Sequence, residues 1–375
     1  MKINVSQQQF AHGLGIVSRA VAARSTLPVL NNILLATDEG RLRLCATNLE
    51  VGISCWIGAQ IVEDGSITVP ARTLTDLVGT LPGDTVYLEL NSQTQSLNVK
   101  CGSSSTDIKG LDAQEFPPMP IPELANAVDL NVADFREMIL QVAFCASSDD
   151  SRPALQGVSV TLNDSEITMA ATDGFRISVR KSALSNPVSQ TISVIIPARA
   201  LNELARIAGE GNAIIKMVIP QGRGQVIFHL PDVELASQLI DATFPDYKLI
   251  IPQSFKTRTI VPTSALLKAC RQAEVIARDS NNVIRFNIEN NENEPGRVEV
   301  QATSEETGAS EIILDATIDG PGLPIAFNVR FLREVLDVIK TPNVVFETSS
   351  NNSPGVIRPV NDDNFLHVIM PMHLG

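Results

Sequence analysis

The chain repeats itself three times, and this repetition limits the possible folds more than any other feature of the sequence. An Ala-Thr pair followed by a polar residue occurs at 46–48, 171–173 and 302–304, so successive copies lie 125 and 131 residues apart. Each copy ends a pattern of two alternating apolar stretches separated by a polar turn. Alternation with a period of two predicts strands, so each copy predicts a β-hairpin at an equivalent place.

Further landmarks recur around each hairpin in the same order. A stretch of helical period precedes the hairpin, and an arginine (Arg72, Arg199 or Arg330) opens a short amphipathic helix after it. The predicted helical windows are 6–24, 72–82, 132–148, 198–210, 263–278 and 328–341. A proline then closes each unit, at Pro117, Pro245 and Pro371.

Each repeat therefore contains two helices among several short strands. This content predicts an α+β domain whose helices cover one face of an antiparallel sheet. We predict three tandem copies of this domain, at 1–123, 124–253 and 254–375. A tandem array whose repeats serve only stability is an alternative explanation of the same pattern.

Composition narrows the class of protein. The chain has 375 residues, of which 44% are hydrophobic, 19% charged and 4% aromatic, which is typical of a soluble globular protein with an aliphatic core. No signal peptide or membrane-length apolar run is present, so we expect a cytoplasmic protein that contacts no membrane. The five cysteines have no ligand-like spacing, which favours buried reduced thiols over disulfides or a metal site.

The distribution of charge points to a different partner from the total charge. The net charge of −13 argues against nucleic acid as a partner. The six helical windows, however, carry +4, so the remaining residues carry −17. The helices are therefore the basic part of the chain, and the strands and loops are the acidic part.

An enzyme of nucleic-acid metabolism is one reading of the acidic residues. Asp149-Asp150 or Asp362-Asp363 would then hold a metal ion. Both pairs lie in polar, turn-like sequence without a partner histidine or a third acid, and solvated loops explain them better. We expect no catalytic residues, no metal and no cofactor.

Four motifs together carry a family resemblance. STLPVLNNILL (25–35), ATDGFRI (171–177), FPDY (244–247) and MPMHL (370–374) resemble the bacterial DNA polymerase III beta subunits, the sliding clamps. The resemblance covers the whole chain in order. It implies a non-catalytic processivity factor, a head-to-tail homodimer whose six domains close a ring around duplex DNA, with helices inside and antiparallel sheets outside.

Simple geometry is consistent with that ring. Twelve helices of roughly 10 Å diameter, set side by side, have axes on a circle about 38 Å across and leave about 28 Å free. Duplex DNA, about 20 Å wide, fits loosely, as contacts to phosphates without base readout require. Six helices would leave only about 9 Å, so the function needs two chains.

The resemblance also implies residues that contact DNA. They are Arg24, Arg72, Arg152 and Arg199. The helix that carries Arg24 has no acidic residue, whereas a solvated surface charge is an equal explanation for Arg152 and Arg199. Pro153 and Ala154 replace an aromatic pair of some relatives, which puts the contact near Arg152 in doubt.

Finally, the resemblance implies a groove on the second repeat that binds short apolar peptides. Its partners would be the replicative polymerase subunit, the clamp loader and other proteins with a clamp-binding motif. The implied groove residues are Leu155, Thr172, Gly174, Phe175, Arg176, Ile177, Pro245, Leu249, Ile250, Val368, Met370, Pro371, Met372, His373 and Leu374. Without the resemblance, an ordinary hairpin turn and ordinary strand packing would explain the same two motifs.

Three departures from the family pattern make the implied groove more apolar and less basic. They are His373, Phe175 and Leu249, at positions where basic residues or histidine occur in relatives. The competing function is a repeat scaffold that binds proteins and never meets DNA. That scaffold predicts no basic preference on the helices and full activity as a monomer.

Overall fold

The helices begin where the sequence predicts. A computed structural model describes residues 1–22, 25–209, 213–220, 222–290 and 295–373. Within these residues there are six α-helices: α1 (Gln7–Val17), α2 (Ala71–Thr80), α3 (Val132–Val142), α4 (Ala198–Ile207), α5 (Thr263–Ala277) and α6 (Val329–Val338). Each begins within one residue of its predicted window, so the prediction of two helices per repeat is confirmed.

The first and third windows overestimate their helices. Helix α1 gives way to a 3₁₀ turn at 18–20, and α3 gives way to one at 143–145. At the end of α1 the Ser18 hydroxyl donates to the Leu14 carbonyl at 2.6 Å. A side chain that bonds to the last turn competes with continuation of the helix.

The strands follow the same plan in each repeat. The first repeat contains β1 (Lys2–Ser6), β2 (Asn32–Asp38), β3 (Arg41–Thr47), β4 (Val51–Ile57), β5 (Gln60–Glu63), β6 (Ser66–Pro70), β7 (Thr85–Asn91), β8 (Ser96–Cys101) and β9 (Ser104–Lys109). The second contains β10 (Val128–Asn131), β11 (Gly157–Asn163), β12 (Glu166–Thr172), β13 (Arg176–Ala183), β14 (Ile192–Pro197), β15 (Ile214–Val218), β16 (Gln225–His229) and β17 (Val233–Gln238). The third contains β18 (Thr257–Pro262), β19 (Val283–Glu289), β20 (Arg297–Ser304), β21 (Gly308–Asp315), β22 (Thr317–Asp319), β23 (Leu323–Asn328), β24 (Asn343–Thr348), β25 (Gly355–Pro359) and β26 (Phe365–Ile369).

The three predicted hairpins are present as β2–β3, β11–β12 and β19–β20, all antiparallel. In the first, Glu39 and Gly40 both have positive φ, 46° and 75°. Two such residues in a row form a turn whose twist matches that of the flanking strands. Leu35, Leu42 and Leu44 point into the core with no exposed surface, as their alternation predicts.

One compact unit of the structure comprises 1–133 and 203–239. It contains a five-stranded sheet, β5-β1-β7-β8-β9, and an eight-stranded sheet, β10-β15-β16-β17-β4-β3-β2-β6. The larger sheet joins two repeats, because β17 pairs antiparallel with β4 and sets Leu235 opposite Ile53. Edge pairing therefore continues one repeat into the next.

The other compact unit comprises 134–202 and 240–375. Its nine-stranded sheet, β14-β11-β12-β13-β26-β25-β24-β18-β22, joins the second and third repeats through β13 and β26. Its four-stranded sheet has the order β21-β20-β19-β23. Phe286, Phe327 and Phe346 meet edge to face in the core, with ring centroids 5.3–6.1 Å apart. The repeat boundaries 1–123, 124–253 and 254–375 stay a prediction.

The cysteines have the predicted character. All five are buried and free, and burial raises the pKa of the Cys55, Cys145 and Cys270 thiols to about 12. Among the described residues no group of three or more His, Cys, Asp or Glu side chains could hold a metal ion. Within the same residues, no helix combines the length and hydropathy needed to cross a membrane.

Candidate peptide-binding groove

The floor of the candidate groove is made by two strands from different repeats. Strands β13 and β26 are antiparallel neighbours, with Ile177 opposite Val368. Because side chains alternate across a strand, Ile177 and Val179 share a face with Leu366 and Val368. These residues belong to one apolar cluster, which also contains Ala170, Val356, Phe244, Tyr247 and Ile251.

A tight turn between β12 and β13 closes one end of the floor. The Thr172 hydroxyl donates to the Arg176 carbonyl at 2.7 Å and accepts the Gly174 N–H at 3.0 Å. The Asp173 carboxylate accepts the N–H groups of Phe175 and Arg176 at 2.9 and 3.1 Å. Two side chains therefore fix the backbone of the whole turn.

Two features favour glycine at position 174. Its φ is +94°, a conformation that side chains disfavour, and an added Cβ would lie 3.2 Å from Arg152 Nη1. The next residue, Phe175, holds the strands together through its carbonyl, which accepts the Met370 N–H at 2.9 Å. Its ring is 60% exposed and available to a ligand.

Arg176 supports the turn from behind rather than lining the floor. It lies on the opposite face of β13 from Ile177, and its side chain is only 7% exposed. Its guanidinium pairs with Asp173 at 3.0 Å and Glu334 at 2.5 Å and lies 4.3 Å from the Phe331 ring centroid. The sequence pattern placed Arg176 in the wall, whereas its contacts lie beneath the wall.

The segment after β17 forms an apolar rim. Phe244 and Tyr247 meet edge to face at 6.2 Å and pack on the floor. Pro245 is exposed, Leu249 is 84% exposed and Ile250 is 45% exposed. Leu155 is buried, within a 3₁₀ turn at 153–156. Exposed aliphatic side chains beside an apolar floor are suited to binding an apolar segment.

The chain beyond β26 leaves the floor after one residue. Met370 is 40% exposed beside Phe175, whereas the Met372 N–H donates to the Ala326 carbonyl on β23 at 2.8 Å. Pro371 between them is half-buried and His373 is exposed. Leu374 lies outside the described residues.

The motif that recurs in all three repeats turns out to be a turn motif. Its third residue accepts backbone N–H groups in every copy, through Asn48, Asp173 and Ser304. The first copy has Leu49, with φ of 75°, where the second has Gly174. From Gly174 to Ile177 the second copy shares no residue with the other two.

The first junction differs from the second at the position of Ile177. Gly52 stands in the place of Ile177, and a Cβ added there would lie 2.6 Å from Met119 Cε. The chain's own Met119 therefore fills this space in the first repeat.

The four arginines expected to contact DNA have different surroundings. Arg72 is 94% exposed, with Asp76 at 3.6 Å, and Arg199 is exposed on α4. Arg152 instead donates to Asp149 at 2.9 Å and to the Asp173 carbonyl at 3.2 Å, at the groove turn. Hydrogen bonds from Ser151 and then Arg152 lower the pKa of Asp149 to about 2. Arg24 lies outside the described residues.

Reasoning from the sequence missed three residues behind the floor. Ser178, His367 and Cys145 meet there in the core. The available signal was the alternation in β26, which places His367 on the opposite face from Val368. An isolated histidine between apolar neighbours does not reveal its partners on other elements.

The three-repeat fold, joined through paired edge strands, defines the class of protein. Family models for the N-terminal, central and C-terminal domains of the DNA polymerase III beta subunit match residues 1–120, 129–246 and 248–373. The chain belongs to this family, the beta sliding clamps.

Individual relatives agree with this assignment over their full lengths. The beta sliding clamp of Synechococcus elongatus is 34% identical and that of Bacillus subtilis 28%, with 100% and 99% of each chain covered. The Bacillus subtilis clamp structure has a TM-score of 0.94 at 28% identity, with both chains fully covered. A Pseudomonas aeruginosa clamp bound to griselimycin has a TM-score of 0.92 at 28% identity, also with full coverage.

These comparisons confirm the processivity-factor role expected from the sequence. They also confirm the three tandem clamp domains with antiparallel sheets and few helices. The DNA-independent repeat scaffold is not favoured.

Proposed function

We propose that two copies of the chain close head to tail into a ring that encircles duplex DNA and tethers the replicative polymerase. The observation that carries this proposal is the way the repeats join. Within the chain, the last strand of one repeat pairs with the strand after the hairpin of the preceding repeat, as β17 with β4 and β26 with β13. The equivalent strands β9 and β21 are sheet edges and have no such partner among the described residues.

The two internal junctions also have the same register. We call a row the set of residues that lie opposite one another on successive strands of a sheet. At the first junction one row runs through Phe228, Leu235, Ile53 and Ala46. The equivalent row of the second junction runs through Ile357, His367, Ser178 and Ala171. In both, the row begins on the first strand of a repeat, four residues before its first helix, at Val128 and Thr259.

The same rule predicts the register of the junction between copies. Ile3, four residues before α1, starts a row through Leu88 and Val99 that ends at Thr106 on β9. On the third repeat, Ala302 is the equivalent of Ala46 and Ala171, where the other two rows end. It is paired with Ser310 on β21. We therefore expect Thr106 of one copy to lie opposite Ser310 of the other, in an antiparallel ladder.

DNA would pass through the ring without base recognition. Arg72 and Arg199 are exposed cations on helices, and mobile cations bind any phosphate with a low barrier between neighbouring positions. Retention then depends on the closed ring and not on affinity. We propose that the protein acts in the cytoplasm and catalyses no reaction itself.

The groove would hold the partners of the clamp. Its floor at Ile177 and Val368 and its exposed side chains Phe175, Leu249 and Met370 form a surface for a short apolar segment. We propose the replicative polymerase subunit, the clamp loader and other clamp-binding proteins as the partners. Because a clamp of this family binds griselimycin, we expect griselimycin to occupy the groove here.

The ring is tested by comparing circular and linear DNA. Protein loaded on a nicked circle should remain bound during gel filtration and should be lost after the circle is cut once. Light scattering should give twice the mass of one chain. Equal retention on circular and linear DNA, or a monomeric mass, would contradict the ring and support a scaffold that does not encircle DNA.

The groove is tested separately with a pair of matched variants. Met370→Glu places a charge beside the floor, and we expect it to abolish griselimycin binding in calorimetry while the dimer remains. Leu124→Glu is the control, because Leu124 has nearly the same exposure, 38% against 40%, outside the groove. Unchanged binding by Met370→Glu would exclude this groove as the site.

A further inference from the structure

Three polar side chains meet in the core directly behind the groove floor. Ser178 on β13 lies opposite His367 on β26, and the Ser178 Oγ and His367 Nδ1 atoms are 2.8 Å apart. Cys145 Sγ lies 3.3 Å from Ser178 Oγ and 3.7 Å from His367 Nδ1. All three side chains have no exposed surface, so the cluster is sealed from solvent.

The cluster and the floor are carried by the same two strands. Ile177 and Val368, which form the floor, immediately neighbour Ser178 and His367 in sequence and face the other way. A shift of one residue in strand pairing would exchange the two faces. A hydrogen bond that holds Ser178 opposite His367 therefore also holds Ile177 opposite Val368.

The three side chains of the cluster have a structural role and not a reactive one. Burial raises the pKa of the Cys145 thiol to about 12, and burial followed by Arg176 lowers the pKa of His367 to about 3. Both groups are therefore neutral at physiological pH, and a neutral, enclosed thiol is a poor nucleophile.

The imidazole has few other attachments. Its ring stacks on Phe144, with centroids 5.8 Å apart and planes 22° apart. Its Nε2 atom is buried and has no hydrogen-bond partner among the described residues. The Nδ1 atom is therefore the polar attachment of the ring, and Ser178 Oγ at 2.8 Å is its nearer partner, with Cys145 Sγ at 3.7 Å.

We propose that His367 and Ser178 are positioning residues for partner binding: their hydrogen bond aligns β13 with β26 and so places Val368 and Met370 for an apolar partner segment. The proposal rests on the groove function proposed above. It implies that two residues on the face opposite the groove, which do not contact the partner, affect its affinity.

Griselimycin affinity, measured by calorimetry on the full chain, tests the proposal. His367→Phe keeps an aromatic ring against Phe144 but removes the hydrogen-bonding nitrogen, and Ser178→Ala removes its partner hydroxyl. We expect each variant to bind at least fivefold more weakly. Both changes break the same hydrogen bond. The griselimycin affinity of the double variant should therefore equal that of whichever single variant has the lower affinity.

A rescue variant and a control separate positioning from general destabilisation. His367→Asn restores an acceptor near the place of Nδ1, and we expect its affinity within threefold of wild type. Thr259→Val is the control, because the buried Thr259 hydroxyl on β18 of the same sheet has no hydrogen-bond partner in the described part of the chain. Its affinity should remain within twofold of wild type.

Amide hydrogen exchange at 366–370 provides a readout that does not need a ligand. We expect faster exchange there in both single variants and wild-type rates in Thr259→Val. If His367→Phe does not fold, Ser178→Ala decides the question. Wild-type affinity and exchange in the variants, or equal losses in Thr259→Val, would overturn the proposal. Failure of the wild type to bind griselimycin would count against the groove instead, and exchange would still test the alignment.

Discussion

His367 is a titratable side chain held neutral in the core. Burial first, and then Arg176, lowers its pKa from 6.5 to about 3. In the unfolded chain the imidazole takes up a proton below about pH 6.5, whereas in the folded chain it does so only near pH 3. Its contribution to stability is therefore complete above pH 6.5 and is lost progressively as the pH falls toward 3.

This linkage gives a prediction for acid stability. Between pH 7 and pH 5 the unfolding free energy of the wild type should fall by about 2 kcal/mol more than that of His367→Phe. For a unit of this size the difference corresponds to roughly 4–8 °C in the thermal midpoint. Scanning calorimetry of both proteins at the two pH values measures it, and an equal decrease in both would show that His367 does not carry the effect.

Gly174 gives a second prediction. Gly174→Ala forces a side chain into φ of +94° and against Arg152, so we expect a loss of about 1–2 kcal/mol and weaker griselimycin binding. Gly79→Ala is the matched control, because Gly79 lies in α2 with no atom near a new Cβ. It should be neutral or stabilising by about 0.5–1 kcal/mol. Equal thermal midpoints for the two variants would contradict the requirement for glycine.

Single residues show where prediction from the sequence reached its limit. The family resemblance implied Thr172, Ile177 and Val368 as groove residues, and in the structure they lie on adjacent paired strands. It did not show that Arg176 faces away or that Arg152 binds the turn. The orientation of Arg176 follows from side-chain alternation next to Ile177. Its contact with Glu334, and that of Arg152 with Asp173, join segments that no local pattern relates.

Strand β9 is the last strand of its repeat, and β21 is the strand that follows the hairpin of its repeat. Unlike the equivalent strands of the other repeats, each lies at the edge of its sheet. Exposed edges favour pairing with another chain, and a charge placed on an edge opposes it. Ile313 is 56% exposed on β21, so a charge introduced there would lie on this edge strand. The edge of β21 is therefore the place to test the junction between copies.

Ile313→Lys should raise the dimer dissociation constant at least tenfold, or about 1.4 kcal/mol. Val62→Lys is the control, because Val62 is 62% exposed on β5, an edge strand outside the proposed junction. Analytical ultracentrifugation across a dilution series measures both. Dissociation by Val62→Lys, or none by Ile313→Lys, would move the junction elsewhere.

The elements themselves were largely predictable, whereas their partners were not. Six helices and three hairpins follow from period and turn residues, each a local signal. The pairing of β4 with β17 joins residues about 180 positions apart, and both strands could equally end a sheet. Internal repetition predicts that the repeats resemble one another but leaves open which strands join them.

For the assembled molecule, binding to DNA should separate into an electrostatic part and a topological part. Arg72→Ala and Arg199→Ala should each reduce the slope of log affinity against log salt, on a short linear duplex, by about one where the arginine contacts a phosphate. Retention on a closed circle should not change, because closure does not depend on these side chains. Fluorescence anisotropy and gel filtration measure the two quantities.

Arg258→Ala is the control for this pair, since Arg258 is exposed on the strand β18 and not on a helix. Its salt slope should equal that of the wild type. A decrease in the slope for Arg258→Ala alone would place DNA against strands and contradict the expected arrangement of helices.

The candidate groove has a practical consequence for mapping interactions with fragments. Its floor takes Ile177 from the second repeat and Val368 from the third, joined by backbone pairing of β13 with β26. A fragment that stops before residue 254 would lack Val368, and one that starts there would lack Ile177. Pull-downs with such fragments would then assign the partner to neither half, although the intact polypeptide binds it.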